Sequence, residues 1–198
     1  MNLRDICSVH SGYTLRGRLE PAATGVLIIQ QGDFDTNGAL DLESLMRAEA
    51  PPGHYELMPG DVLFRSRGQR TLACVVPIAL IESAIAVMPM FIIRPMSGKI
   101  DSRYLAWTLN QHEAQLHFRQ SSQGQTIQMI SKRVLEDTPI VLPPLLKQRQ
   151  IATIADLSAQ QETLERRLTD RRYSLLSLQL ANATHDFPTP PRQNRTTR

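Results

Sequence analysis

The sequence predicts an α+β protein, with a globular α/β domain over residues 1–142 and one long α-helix over residues 143–181. Three observations carry this prediction. Short apolar runs bounded by Gly, Pro and Asp recur through the first part of the chain, as in strands of a mixed domain. Residues 145–187 contain neither Pro nor Gly. Apolar residues in that stretch recur at alternating steps of three and four, which is typical of a helix that packs along its length.

The first half of the globular domain is predicted to consist of strands and loops. Residues 31–60 carry many Asp, Glu, Gly and Pro residues and are predicted to be loops with one short helix near residues 42–47. The dipeptide Pro59-Gly60 predicts a turn into the next strand. The strands are predicted at residues 26–29, 62–64, 72–76 and 84–93.

The second half of the domain is predicted to be more helical. Asp101 or Ser102 can cap a helix, and its apolar face is formed by Leu105, Thr108, Leu109, His112 and Leu116. A polar loop over residues 121–126 and a short helix near residues 132–136 follow. A strand-like run at residues 139–142 then stops at two prolines, the second of which suits the first position of a helix.

The long helix is predicted to begin near Leu145 and to end near Ala181. About 36 residues at 1.5 Å each make it roughly 54 Å long. The positions that recur at steps of three and four along this helix, from residue 154 to residue 178, form one stripe that we call the ladder, and each position is a rung. The apolar rungs need a partner helix to cover them, and the two polar rungs are Gln161 and Arg171. We predict that residues 182–198, which are polar, basic and Pro-rich, are a disordered tail. The predicted dimerisation residues are Ile154, Leu157, Leu164, Leu168, Leu175 and Leu178.

The composition limits the class of protein. The net charge of +3 is modest, but the 22 basic residues comprise 19 Arg and 3 Lys. Arg is favoured at sites that bind phosphate or guanine, although a GC-rich genome accounts for the excess equally well. The two cysteines, Cys7 and Cys74, have neither metal-site spacing nor a disulfide framework, which favours a reduced, cytoplasmic setting. The most apolar window, residues 75–93, contains two prolines and a glutamate and is too interrupted to span a bilayer.

No motif in the chain predicts catalysis, and we expect no catalytic residue, cofactor or metal site in it. Gly-rich nucleotide-binding loops are absent from the sequence. His112 and His117 are five residues apart, whereas a helical zinc pair needs a spacing of four. No Ser-His-Asp or Cys-His arrangement can be assembled with any specificity.

Two windows of the globular domain favour DNA binding. Residues 1–140 are nearly balanced in charge, with 13 basic and 14 acidic residues, but residues 62–81 and 114–135 contain no acid at all. Both windows combine basic residues with Gln, Ser and Thr. Arg can neutralise phosphate or pair with guanine, and Gln can bond an adenine edge. Ordinary solvated loops are the competing interpretation. The predicted DNA-binding residues are Arg65, Arg67, Gln69, Arg70, Gln123, Gln125, Thr126 and Lys132.

Motifs of a recurring kind lie at residues 3–6, 11–14, 57–68, 103–105, 122–127, 142–145 and 148–152. Taken in order, these motifs resemble those of the specificity (S) subunit of type I restriction-modification systems. The junction into the long helix is the most specific of them, and together they extend over residues 3 to 180. This chain has one recognition domain and one helix, where family members usually have two of each, so it resembles a half-subunit.

The resemblance implies a function that the residues alone do not give. A specificity subunit is not itself an enzyme: it reads a bipartite sequence in double-stranded DNA and docks methyltransferase (modification) subunits that use S-adenosylmethionine. A restriction subunit that depends on ATP and Mg²⁺ can join them. A half-length chain could restore the two-headed layout as a homodimer, with two long helices paired as an antiparallel coiled coil. Two-fold symmetry would then make the target a gapped palindrome, with a gap of at most about 16 base pairs.

Other functions remain open at this point. A stand-alone DNA-binding protein, such as a regulator or a phage-defence accessory factor, would have the same residues. A coiled-coil adaptor would bind protein through its globular domain, and its binding would not depend on salt. A truncated specificity subunit could also fold and do nothing, although the regular heptad through Leu178 argues against decay.

Overall fold

The computed structural model describes most of the chain and divides it into two compact units, Met1–Ala155 and Asp156–Arg198. The described α-helices are α1 (Ser102–Asn110), α2 (His112–Ser121), α3 (Lys132–Glu136) and α4 (Leu145–His185), and two short 3-10 helices lie at Leu3–Asp5 and Gln31–Asp33. The strands are β1 (Cys7–Ser11), β2 (Val26–Ile29), β3 (Met46–Ala48), β4 (Val62–Arg65), β5 (Arg67–Gly68), β6 (Leu72–Val75), β7 (Ala84–Ala86), β8 (Met90–Pro95) and β9 (Gln128–Met129). The residues outside the description are 15–16, 18, 35–39, 43–44, 50–55, 69–70, 78–79, 81, 123–127 and 186–198.

A four-stranded antiparallel sheet with the order β1-β8-β4-β6 forms the centre of the first unit. The first three residues of β4, Val62, Leu63 and Phe64, are apolar because both faces of the strand are buried there. Val62 and Phe64 belong to the core that contains α1 and α2, whereas Leu63 belongs to a second core on the other side. The Phe64 and Phe118 rings pack edge to face with their centroids 5.2 Å apart. The sheet is therefore sandwiched between helices and a second layer of strands.

The second layer is a three-stranded sheet with the order β3-β2-β7, in which β2 and β7 run parallel. Strand β2 occupies the predicted residues. The short helix predicted near residues 42–47 is wrong for its last two residues, because Met46–Ala48 form a strand against β2. The pairing of Leu27 with Arg47 is antiparallel and long-range, and such pairing overrides a local helical pattern.

The predicted strand at residues 84–93 is divided into β7 and β8, which belong to different sheets. The predicted turn at Pro59-Gly60 is confirmed, since Gly60 has a φ of 87°, a conformation that glycine adopts at little cost. The next residue, Asp61, is buried and bonds to Arg94 on β8, with 2.8 Å between Oδ1 and Nε and 2.7 Å between Oδ2 and Nη2. This bond to Asp61 raises the pKa of Arg94 and ties the turn to the sheet.

The predicted capping of the first helix is confirmed, but its length is wrong. Asp101 caps α1, because its side chain accepts bonds from the backbone N–H groups of Arg103 and Tyr104. The helix stops at Gln111, which has extended backbone angles, and α2 begins in a new direction at His112. Leu116 is consequently exposed, although the predicted single helix placed it on the buried face.

Helix α3 occupies the predicted residues and is capped by the Ser131 hydroxyl. The strand predicted at residues 139–142 is limited to one bridge between Asn2 and Pro139, because prolines lack the N–H groups that a ladder needs. Helix α4 begins at the predicted Leu145 and runs a few residues beyond the predicted end, to His185. The tail predicted to be disordered from residue 182 lies, from residue 186 on, outside the described residues.

Candidate nucleic-acid interface

The first unit brings the two acid-free windows into contact. Strand β5 of the first window pairs antiparallel with β9 of the second, with Arg67 opposite Met129 and Gly68 opposite Gln128. The N–H of Ile130 donates to the carbonyl oxygen of Ser66 at 2.8 Å. Segments about 60 residues apart in sequence therefore form one surface, which we call the β5–β9 ribbon.

A buried hydrogen bond connects the same two windows at a second place. The hydroxyl of Thr71, the residue before β6, donates to the side-chain oxygen of Gln115 on α2 at 3.0 Å. The Gln115 amide nitrogen donates to the carbonyl of Leu109 at 2.9 Å. Gln115 is therefore a core residue, although the sequence placed it in a polar, DNA-binding window. The two windows are therefore held together both by the pairing of β5 with β9 and by the bond between Thr71 and Gln115.

Two predicted basic residues stand at the edge of this ribbon. Arg65 ends β4 and is half-buried, whereas Arg67 lies in β5 and is exposed. Ser66 between them is buried, and its hydroxyl donates to the Pro89 carbonyl at 2.7 Å. The side-chain amide of Gln31 donates to the carbonyl of Arg67. The backbone is thus held from both sides while the Arg67 guanidinium faces solvent, as phosphate binding requires.

The other described residue of the predicted set is Lys132, at the first turn of α3. Its ammonium lies 3.6 Å from the carboxylate of Glu136 one helical turn away. The neighbouring Arg133 is more exposed and lies 3.9 Å from Asp137. Surface pairs of this kind contribute little to stability and leave the cations available to phosphate.

Five predicted DNA-binding residues lie outside the described residues. In the sequence, Gln69 and Arg70 directly follow Gly68 of β5, and the other three residues come shortly before Gln128 of β9. Their assignment to DNA contact stays a prediction. These residues are Gln69, Arg70, Gln123, Gln125 and Thr126.

The described residues offer little for other chemistry. Among them no group of three or more His, Cys, Asp or Glu side chains is placed to hold a metal ion. Burial raises the pKa of the Cys7 thiol to about 12, so it stays protonated and unreactive near neutral pH. His117, one of the pair that resembles a zinc motif, lies 3.2 Å from the Val134 carbonyl oxygen and joins α2 to α3. Within the described part of the chain, no helix is long and apolar enough to cross a membrane.

A buried glutamine fixes the first turn of α4 to the rest of the first unit. Gln148 is 1% exposed. Its amide nitrogen donates to the Pro143 carbonyl at 2.7 Å, and its oxygen accepts from the N–H of Asp101 at 2.9 Å. Tyr104 on α1 donates to the carbonyl of Val141 at 2.9 Å. The motif that gave the most specific resemblance is therefore the joint between α1 and the start of α4.

The α4 ladder is open along its length. The six predicted dimerisation residues are between 55% and 68% exposed. Within the second unit, Gln161 donates from its amide nitrogen to the Glu165 carboxylate at 2.9 Å. Three further large side chains, at Tyr173, Leu176 and Leu180, are more than half exposed on another side of the helix. An apolar stripe this open is typical of a helix that pairs with another helix.

Comparison with known proteins places this arrangement in one family. Residues 1–170 match the family model described as the type I restriction modification DNA specificity domain. A comparison with curated proteins found no match.

Solved structures share the fold. A chain from a study of complex assembly and conformational transition of the type I R-M system is 23% identical with a TM-score of 0.66, and covers 91% of this chain and 43% of its own length. The HsdS subunit from Thermoanaerobacter tengcongensis is 20% identical with a TM-score of 0.56, over 82% of this chain and 37% of that one. The S subunit of a type I system from M. genitalium is 15% identical with a TM-score of 0.56, over 93% of this chain and 47% of that one. The chain thus spans less than half the length of these structures.

Proposed function

Because the chain belongs to the family of type I restriction modification DNA specificity domains, we propose that it reads the DNA target of a type I restriction-modification complex. The observation that carries the proposal is the β5–β9 ribbon, which joins two acid-free basic windows on one surface. In this proposal the chain has no catalytic role. Methylation with S-adenosylmethionine and restriction with ATP and Mg²⁺ belong to partner subunits.

The ribbon suits a DNA duplex for reasons of charge and geometry. Arg67 is an exposed guanidinium on an anchored backbone, and Lys132 supplies a point charge from the second window. Such contacts to phosphate position a protein on DNA, whereas base edges are read by bidentate Arg and Gln side chains. We assign base reading to the segments that adjoin the ribbon, at residues 69–70 and 123–127, where three Gln and one Arg occur.

The exposed apolar residues of α4 support a dimer in which each copy acts as a half-subunit. Family structures are more than twice as long as the part that this chain matches, and the open α4 ladder gives a second copy a surface to bind. Two copies related by a two-fold axis would read inverted half-sites. The target of the proposed dimer is therefore a palindrome with a central gap.

The second apolar side of α4 supports docking of a modification subunit. Tyr173, Leu176 and Leu180 lie roughly 100–160° around the helix from Leu175, at 100° per residue. They are more than half exposed and cannot face the same partner as the ladder. A helix with two separate apolar sides can bind two different neighbours.

Selection from a random duplex library tests DNA recognition directly. The wild-type chain, alone or with its modification subunit, is expected to enrich an inverted repeat with a constant gap. Replacing Arg65 and Arg67 with Ala should abolish the enrichment, and Arg47→Ala, outside both windows, should preserve it. Failure to enrich any duplex sequence would remove the proposal and favour a protein adaptor. Enrichment without co-purification of a modification subunit would favour a stand-alone DNA-binding protein.

A further inference from the structure

We propose that two copies pair through α4 in a single antiparallel register, selected by the polar rungs Gln161 and Arg171. This inference rests on the proposed dimer of half-subunits and specifies how its helices align. In the proposed register Ile154 faces Leu178 of the second copy, and Leu164 faces Leu168. The two-fold axis passes at the level of Arg166.

The first argument is that the ladder matches its own reverse. Its steps are three, four, three, four, three, four and three, so reading it backwards gives the same spacing. All eight rungs of one copy then meet all eight of the other. Six rungs are apolar and more than half exposed, so this alignment buries the largest number of them. The two polar rungs meet only each other, as Gln161 against Arg171 of the second copy.

Other registers separate the polar rungs. Sliding one helix by a heptad in either direction places Gln161 against a leucine, and it places Arg171 against Leu168 in one case and Ile154 in the other. Both slides bury a guanidinium or an amide among apolar groups, which is costly without a partner. A parallel pair in register places Arg171 against Arg171. A polar core position selects register for this reason.

The charges of the helix also favour the antiparallel direction. Between residues 154 and 165 the charged residues are all acidic, namely Asp156, Glu162 and Glu165. Between residues 166 and 180 there are four arginines and one aspartate. Antiparallel pairing places the acidic half of one copy beside the basic half of the other, whereas parallel pairing places like charges together. Complementary flanking charges set orientation in paired helices.

One flanking pair follows from the described geometry. The Gln161 amide holds the Glu165 carboxylate beside the ladder at 2.9 Å. Glu165 directly follows the rung Leu164, and Arg172 directly follows the rung Arg171, so both residues lie along the same edge of the ladder. Side chains lean toward the N-terminus of their own helix, which brings Glu165 of one copy toward Arg172 of the second. The carbonyl oxygen of Gln161 is an acceptor suited to the Arg171 guanidinium.

Disulfide trapping of the full-length chain tests the register. Facing Cα atoms in packed helices are about 4–6 Å apart, within disulfide range, whereas a heptad slide separates them by about 10 Å along the axis. The double variant Leu157→Cys/Leu175→Cys is expected to give at least tenfold more covalent dimer than either single variant. The buried native cysteines, Cys7 and Cys74, are common to every sample.

Two shifted pairs serve as matched controls, each compared with its own single variants. Leu164→Cys/Leu175→Cys traps one slide and Leu157→Cys/Leu168→Cys traps the other. Stronger trapping by either pair would overturn the proposed register, and trapping by Leu175→Cys alone would show parallel helices. If such results came with intact target enrichment, the register would fail while the proposed function stood. A wild-type chain that is monomeric until a modification subunit is added would overturn both the register and the homodimer.

A charge exchange gives a second readout that does not need cysteine. Glu165→Arg alone should weaken dimerisation at least tenfold at low salt, and Glu165→Arg/Arg172→Glu should restore it. Exchange of Gln161 and Arg171 should also preserve the dimer, because the polar pair persists with its members swapped. Failure of both exchanges to match the wild type, in variants that keep the wild-type circular dichroism, would refute the pairing.

Discussion

Replacing two central ladder residues, Leu164 and Leu168, with aspartate should convert the proposed dimer into monomers. Leu164 and Leu168 are 59% and 55% exposed in the single chain. Burying a whole leucine side chain contributes about 1.5–3 kcal/mol, so burying slightly more than half contributes about 1–1.7 kcal/mol. The proposed dimer contains four such side chains, and their loss removes about 3.5–7 kcal/mol. The dissociation constant should therefore rise at least about 300-fold.

Aspartate adds a further penalty in this position. The proposed register brings the two substituted positions of one copy against those of the other, so four carboxylates would share two neighbouring layers. Like charges at that distance repel and lose their hydration. The estimate from apolar area is consequently a lower limit.

Sedimentation equilibrium over a range of concentrations measures this effect. The matched control is Leu176→Asp, which carries the same change on the same helix but off the ladder, and it should remain a dimer. Circular dichroism checks that α4 is still helical in all variants. A double variant whose dissociation constant lies within tenfold of the wild type would show that the ladder is not the interface.

Three further predictions concern the first unit. Arg67→Ala should weaken duplex binding and, if the contact is to phosphate, lower the slope of log affinity against log salt by about one, whereas Arg47→Ala should leave the slope unchanged in a fluorescence anisotropy titration. Gln148→Ala should lower the free energy of unfolding by about 2–3 kcal/mol, because it leaves buried backbone groups without partners; Lys147→Ala, one residue away and exposed, should change it by less than about 0.5 kcal/mol in urea titrations. In a Cys74→Ser background, the Cys7 thiol should not react with Ellman's reagent in the folded protein at pH 8–9, since its pKa is raised to about 12, but it should react fully in denaturant.

Local patterns predicted the elements that local chemistry decides. Strand β2, helix α3 and the start of α4 were predicted at the right residues, because a turn residue, a capping serine or a proline fixes each boundary. The helix predicted near residues 42–47 was wrong at Met46 and Arg47, because these residues pair with β2, a strand that is distant in the sequence. The break at Gln111 was missed because nothing in its immediate sequence forbids a continuing helix.

The candidate interface was predicted in composition but not in arrangement. Charge counting identified both basic windows, yet it could not show that they meet, since the pairing of Arg67 with Met129 joins residues far apart in the chain. Composition also could not show that Gln115, which lies inside the second window, is a core residue whose amide bonds to Thr71. Polar and apolar residues are interspersed around Gln115, so the sequence pattern does not show whether its side chain lies on the buried or on the exposed face of the helix. The Gln148 joint was found through its resemblance to a family motif, and its burial and bonds came from the structure.

Sequencing of methylated bases in a host that expresses this chain with its modification subunit tests the central claim most directly. A dimer of half-subunits predicts methylation at a gapped palindrome, and that methylation should disappear when Arg65 and Arg67 are both replaced with Ala. Methylation at an asymmetric bipartite sequence, or none at all with a folded and dimeric chain present, would contradict the account.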